Sequence, residues 1–313
     1  MAARVAEPLG AAPDRRVTAC ECRHGRDHPL EGGEAISARA AGRVRPAVVS
    51  GVVVCTDSSA LLPAAEVARL GIEVVPIAIA LDGDPARGDL GADEFYARLA
   101  AGASVATSQP SPAAFAAVYA AAAAGGALSM LSIHLDERVS GTAGSAARVA
   151  REAPIPVLVV AVETVSFGVG VCTRAAAEAL LAGATARDAE TLARRLGSTV
   201  RNVFVAPGAP GGRVPSPADW TVLGFADGET RPLAACESAA EAVGVMVAQI
   251  LAESRPIRVA VGHAAAASEP AADDFAGELA DSASVTELER YRVGPSVGAH
   301  TGPLSVGAFW WPA

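Results

Sequence analysis

Aromatic side chains are scarce in this chain. They make up 4% of residues although 51% are hydrophobic, which argues against a nucleic-acid surface built on stacked rings. Ala, Val and Leu must therefore supply the apolar interior. Positive charge is also in deficit, since 34 Asp and Glu against 25 Lys and Arg leave a net charge of −9. That balance repels phosphate backbones and anionic membrane surfaces, so nucleic acid is not an expected partner. Cysteine is too sparse for a disulfide framework: Cys20, Cys22, Cys55, Cys172 and Cys236 are odd in number and mostly far apart, which fits a reducing cytoplasm. The opening MAARVAEPLGAAPDRR has no apolar core of a secretory signal. Asp, Glu, Lys and Arg are all missing from Leu99 to Leu135, yet Pro110, Pro112 and the pair Gly125-Gly126 interrupt that run. Ala contributes little to insertion, so no membrane span is expected. A small-molecule ligand is the better default.

The length of 313 residues suits two domains, each large enough for a core. Residues 1–46 are rich in Arg, Gly, Pro and Ala without a period and read as a disordered extension. Cys20, Cys22, His24 and His28 within it lack the spacing of a zinc site. From Ala47 to Cys55 a β-branched run predicts a strand buried on both faces, ending in Thr56-Asp57-Ser58-Ser59. A helix to Leu70, a stop at Gly71 and a second strand over 72–81 complete a β-α-β unit. Further alternation of helices (92–101, 112–124, 142–152) with strands (127–133, 157–162) predicts an α/β fold with a largely parallel sheet, its ligand site beyond the strands' carboxyl ends. The expected division is an N-terminal α/β domain over 47–165 and a C-terminal α/β domain over 166–313. In the second half, Asp227-Gly228 is a hairpin signal within 220–231.

Several short motifs could carry chemistry. Ala106-Thr-Ser-Gln-Pro-Ser-Pro112 is expected to be a stiff loop or helix entrance, with three hydroxyls and an amide on a chain fixed by two prolines. Ser111 before Pro112 is a helix cap, which leaves Thr107, Ser108 and Gln109 unexplained. Gly294-Pro-Ser296-Val-Gly298, with His300 beyond, matches the G-x-S-x-G pattern of a serine hydrolase, but a helix after the serine is not expected in the stretch that follows. Ser166-Phe-Gly168-Val-Gly170 has Thr173 where a dinucleotide loop needs its third glycine, so an ordinary strand-to-helix turn is the simpler reading. Ser140 and Thr142 read equally well as helix caps or as ligand donors, and Gly211-Gly212-Arg213 as a turn or a ligand arm.

Taken in order, TDSSALLP (Thr56 to Pro63), GIEVVPIAI, TSQPSP, SGTAGSA (Ser140 to Ala146), GGR (Gly211 to Arg213) and HTGP (His300 to Pro303) resemble the DegV family over about residues 50–313. That family is similar to the fatty-acid-binding subunit of bacterial fatty acid kinase. The resemblance implies a two-domain fold, a largely parallel sheet flanked by helices plus a second α/β domain, with a slot between them for one long-chain fatty acid. It implies that Thr107, Ser108, Ser140, Thr142, Arg213 and His300 surround the carboxylate, supported by Asp57, Ser58, Gln109, Gly141, Gly212 and Thr301. It further implies a non-catalytic, cytoplasmic subunit with no cofactor other than the bound lipid, which presents its cargo to a separate ATP-dependent kinase for acyl-phosphate formation. The chain has no Walker loop, as that division of labour requires. Two departures stand out: Leu304 replaces the glycine of the family's HTGPG, and the segment after Arg213 is shorter than usual. The alternatives are a serine hydrolase using Ser296 and His300, and a family member turned to a regulatory role.

Overall fold

The computed structural model describes residues 51–85, 90–207 and 220–313. Chain order in the first half is β1 (Val52–Asp57), a 3-10 turn (Ser58–Ala60), α1 (Ala64–Leu70), β2 (Glu73–Val75), β3 (Ala78–Leu81), β4 (Asp84–Pro85), α2 (Ala92–Ala100), β5 (Val105–Ser108), α3 (Pro112–Ala124), β6 (Ser129–His134), α4 (Thr142–Ala150), β7 (Val157–Ala161), α5 (Phe167–Leu181) and α6 (Ala186–Thr199). The second half contains β8 (Arg201–Val205), β9 (Trp220–Ala226), β10 (Glu229–Cys236), α7 (Ala239–Leu251), β11 (Ile257–His263), α8 (Glu269–Ala280), β12 (Val285–Arg292), α9 (Pro295–Thr301) and β13 (Val306–Pro312).

The first lobe is a parallel sheet in the order β2-β1-β6-β7. Strand alternation divides its side chains between two cores. Val54, Leu131 and Ile133 meet α5 and α6 through Val169, Cys172, Ala176 and Ala189, while Val53, Cys55 and Met130 meet α3 and α4 through Phe115, Tyr119 and Ala146. The helices after residue 165, which the sequence division assigns to the second half, thus pack on the first sheet. The second lobe is a six-stranded mixed sheet, β10-β9-β8-β13-β11-β12, with only β11 and β12 parallel. One of its faces holds α7 and α8 through Met246, Ile250, Phe275 and Leu279. The other contributes Ala260, Tyr291, Phe309 and Trp311 to a cluster shared with Phe95, Tyr96, Phe167 and Val171. The turn at Asp227 and Gly228 has positive φ at both residues (54° and 82°), as the type I′ reading of the sequence requires.

Two expectations need correction. The single strand expected over 72–81 is two strands in different sheets: β2 joins the parallel sheet, and β3 pairs antiparallel with β4 and β5. Pro76 stands between them, where it withdraws a donor from any continuous ladder. The stretch around Thr107 is likewise a strand, β5, before it becomes the entrance to α3, where Ser111 Oγ accepts from the Ala114 N–H at 3.1 Å.

The glycines of SFGVG serve close packing. A Cβ on Gly168 would lie 2.3 Å from Thr164 Oγ1, and one on Gly170 would lie 2.3 Å from the Ala60 carbonyl oxygen. Gly170→Ala should therefore lower stability by about 1–3 kcal/mol, the usual cost of forcing a group into a packed interior, measured by urea unfolding with an unchanged m value. An unaltered midpoint would show that α5 does not need this approach.

Candidate functional site

The switch point of the parallel sheet lies where β1 is flanked by β2 on one side and β6 on the other, and crevices at such points receive ligands beyond the carboxyl ends. Asp57 and His134 close these two strands. On the α3 face of the sheet, the side chains at alternate positions change from apolar to polar toward this end: Val53 and Cys55 lead to Asp57, and Met130 leads to Ser132 and His134. Asp57, Ser132 and His134 are fully buried. Asp57 Oδ1 accepts from the Ser59 N–H at 3.0 Å and the Ser59 hydroxyl at 2.5 Å, and Asp57 Oδ2 lies 2.7 Å from His134 Nδ1. His134 Nε2 is 2.8 Å from Ser132 Oγ, which is 3.1 Å from the Tyr119 hydroxyl.

With the carboxylate as acceptor, one polarity satisfies the whole chain. Tyr119 donates to Ser132, Ser132 to His134 Nε2, and His134 Nδ1–H to Asp57, a tautomer assigned from the network. The chain is sealed against solvent, so it holds geometry rather than attacking a substrate. Cys55 stands beside it, with its thiol pushed up to about 12 by burial and, secondarily, lowered by Ser132 and raised by Asp57 and Glu73.

Several of the predicted polar residues meet in pairs. Thr107, half-buried on β5, meets His300 on α9: Oγ1 to Nε2 is 3.0 Å. Ser108 follows on the same strand and is exposed. Gln109 reaches the loop before α4 so closely that a Cβ on Gly141 would lie 2.8 Å from Gln109 Oε1. There the Ser140 and Thr142 hydroxyls are 2.8 Å apart, and Ser140 Oγ accepts from the Thr142 N–H at 3.3 Å. Gly141 at the N-cap position has no side chain to cap with, so the Ser140 hydroxyl takes up that first-turn amide and also bonds the Thr142 hydroxyl. Thr301 pairs with Ser305, hydroxyl to hydroxyl, at 3.0 Å. Gly211, Gly212 and Arg213 lie outside the described residues, as do Cys20, Cys22, His24 and His28.

His300 is an exposed residue whose ring is partly covered by neighbouring protein, and that partial burial lowers its pKa below the ordinary imidazole value. Its neutral form can donate or accept toward Thr107 and a ligand. Half-buried Leu61, Ile79, Val105 and Val297 pack nearby against the aromatic cluster between the sheets, so apolar surface adjoins the polar group. The expectation that no helix follows Ser296 is corrected: the serine lies within helix α9, and its hydroxyl donates to the Ser58 carbonyl at 3.0 Å. Sequence reasoning missed His134 and Ser132, because a lone histidine in an apolar run gives no sign of a partner 77 residues earlier.

A family profile described as an uncharacterised protein of the DegV family matches residues 51–206. A DegV domain-containing protein of Streptomyces coelicolor is 34% identical over 276 residues, 82% of this chain and 96% of the relative. Among solved structures, a DegV family protein from Thermus thermophilus, described for its fatty acid binding, is 28% identical with a TM-score of 0.73, covering 84% of this chain and 99% of that one. A Thermotoga maritima protein described as revealing a fatty acid binding function is 25% identical with a TM-score of 0.72 over the same shares.

His300 should titrate below about 6.5 when its Cε1 proton is followed by NMR. The sign follows from the depressed folded value: the unfolded chain takes up the proton first, so this residue's effect on stability turns unfavourable as the pH drops from the unfolded value to the folded one. A midpoint at or above the free imidazole value would contradict the desolvated environment.

Proposed function

Because the chain belongs to the DegV family, we propose that it binds a long-chain fatty acid and presents the carboxylate to a separate ATP-dependent kinase subunit for acyl-phosphate formation. The observation that carries the reading is the contact of Thr107 with His300 at 3.0 Å, which joins β5 to α9, while Gln109 two residues on approaches the loop that holds the Ser140 and Thr142 hydroxyls. A carboxylate entering an apolar site must recover its lost hydration through charge-assisted hydrogen bonds. The donors in this reading are Thr107, Ser108, Ser140, Thr142 and His300, with Arg213 contributing a guanidinium, and with Gln109, Gly141, Gly212 and Thr301 supporting the loops.

The hydrocarbon tail is held by burial. At about 0.8 kcal/mol per CH₂, roughly 15 methylenes give a gross term of about 12 kcal/mol before association costs. A ligand held in this way leaves slowly, which suits a carrier that waits for a partner. The phosphate chemistry belongs to the kinase subunit in this reading, and the binder's own contribution is to fix the carboxylate.

Native mass spectrometry of the purified protein, followed by lipid extraction, should give a one-to-one adduct with the mass of a fatty acid. Ser108→Ala and His300→Ala should each weaken binding of hexadecanoate by about tenfold or more, the effect of one lost hydrogen bond to a charged group. A protein that carries no lipid and ignores added fatty acid would overturn the reading. Covalent labelling of wild type by a fluorophosphonate, lost in Ser296→Ala, would favour a hydrolase instead.

A further inference from the structure

The G-x-S-x-G stretch has a use other than nucleophilic attack. Gly294 is the N-cap position of α9, Pro295 opens the helix, and the Ser296 hydroxyl reaches back to the Ser58 carbonyl at 3.0 Å. Gly298 lies flush on α2: a Cβ there would come within 2.3 Å of the Tyr96 hydroxyl oxygen, and that hydroxyl donates to the Val293 carbonyl at 3.0 Å. All the unusual residues of the motif are thus engaged in seating a short helix, and that helix carries His300 one turn beyond Ser296.

Ser58 has a second tether. Its hydroxyl accepts from the Ile77 N–H at 3.0 Å, immediately before β3. Strand β3 pairs with β5, placing Ala78 opposite Ser108 and Ile79 opposite Thr107. Thr107 then meets His300. The bonds form a closed ring, from Ser58 through Ile77, β3, β5, Thr107, His300 and α9 back through Ser296 to Ser58. Ser58 itself follows Asp57, whose carboxylate is fixed by Ser59 and His134. The ring is therefore tied to a fully buried polar group of the first lobe.

We infer that Ser296 and Ser58 are positioning residues that hold His300 against Thr107 and thereby give the site its preference for a carboxylate over an uncharged head group. The inference rests on the proposed fatty acid reading for its ligand and on the ring of bonds alone for its geometry. Both hydroxyls are engaged by protein partners, Ser58 with the Ile77 N–H and Ser296 with the Ser58 carbonyl. Loss of either opens the same ring, so the two losses overlap instead of adding.

The test uses the full chain in three forms, Ser296→Ala, Ser58→Ala and the double variant, with hexadecanoate and its methyl ester as probes. Each single variant is expected to lower affinity for the acid about tenfold and leave affinity for the ester unchanged. The double variant should lose little more than the larger single loss, the mark of one coupled unit. In ligand-free protein, the NMR titration midpoint of His300 should rise toward the solvated imidazole value in every variant. An unchanged His300 midpoint, equal losses for acid and ester, or additive losses would each overturn the inference. If wild type binds neither probe, the fatty acid reading fails by itself, and the positioning role still stands or falls on the His300 titration. Should Ser296→Ala not fold, Ser58→Ala alone decides the matter by the same readouts.

Discussion

A carboxylate withdrawn from water at the end of a strand has to be surrounded by donors, and Asp57 is. Leaving such a group without partners would cost several kcal/mol, so the surrounding chain is constrained to deliver them. Ser59 must turn back within two residues, which produces the 3-10 turn after β1. His134 must end β6 on the α3 face, which fixes the register of β1 against β6. Ser132 and Tyr119 follow from the second nitrogen of that histidine. The polar end of the first sheet is thus organised around one buried carboxyl group, and the loop it stiffens supports both strands and helix at the candidate site.

The two lobes are joined by a different kind of contact. Arg174 of α5 bonds both carboxylate oxygens of Glu289 on β12, at 2.6 and 2.8 Å, and also Glu66 of α1 at 3.3 Å. Its guanidinium lies 5.9 Å from the ring centres of Phe167 and Trp311, within cation–π range. Phe167 in turn stacks on Tyr291 with centroids 4.3 Å apart. A planar, bidentate cation suits this place because it satisfies two carboxylates while its faces rest on apolar rings. The pair Arg292 and Asp93, at 2.7 Å, adds a more exposed link between β12 and α2.

Much of the fold was legible because local rules agreed with the final packing. Ser111 with Pro112, the Asp227-Gly228 turn and the β-branched run into Asp57 each carry their own explanation in a few residues. The strand over 72–81 misled because β-propensity does not say which sheet a strand will join, and Pro76 had to be weighed against an unbroken apolar run. The candidate site was legible as an ordered set of motifs, from Thr107 to His300, but its architecture was not. The pairing of Asp57 with His134 and of Ser58 with Ser296 depends on segments 77 and 238 residues apart, and no local period encodes such a meeting. Ser296 illustrates the point: its neighbours match a catalytic pattern, while the carbonyl that occupies its hydroxyl comes from the other end of the chain.

The place of β13 in the second sheet bears on how the protein is made. Among the described residues this strand is the last to be synthesised, yet it lies between β8 and β11, antiparallel to both. Until it emerges from the ribosome, the second sheet is two unjoined ribbons, and the facing edges of β8 and β11 present unpaired backbone groups of the sort that recruit stray strands. The parallel sheet of the first lobe has all four strands in hand by residue 161 and needs nothing from that distant segment to complete its ladder. Translation thus imposes an order in which the older half can act as a finished template while the younger half waits for its central strand, and the interval between them is when the nascent chain is most in need of protection.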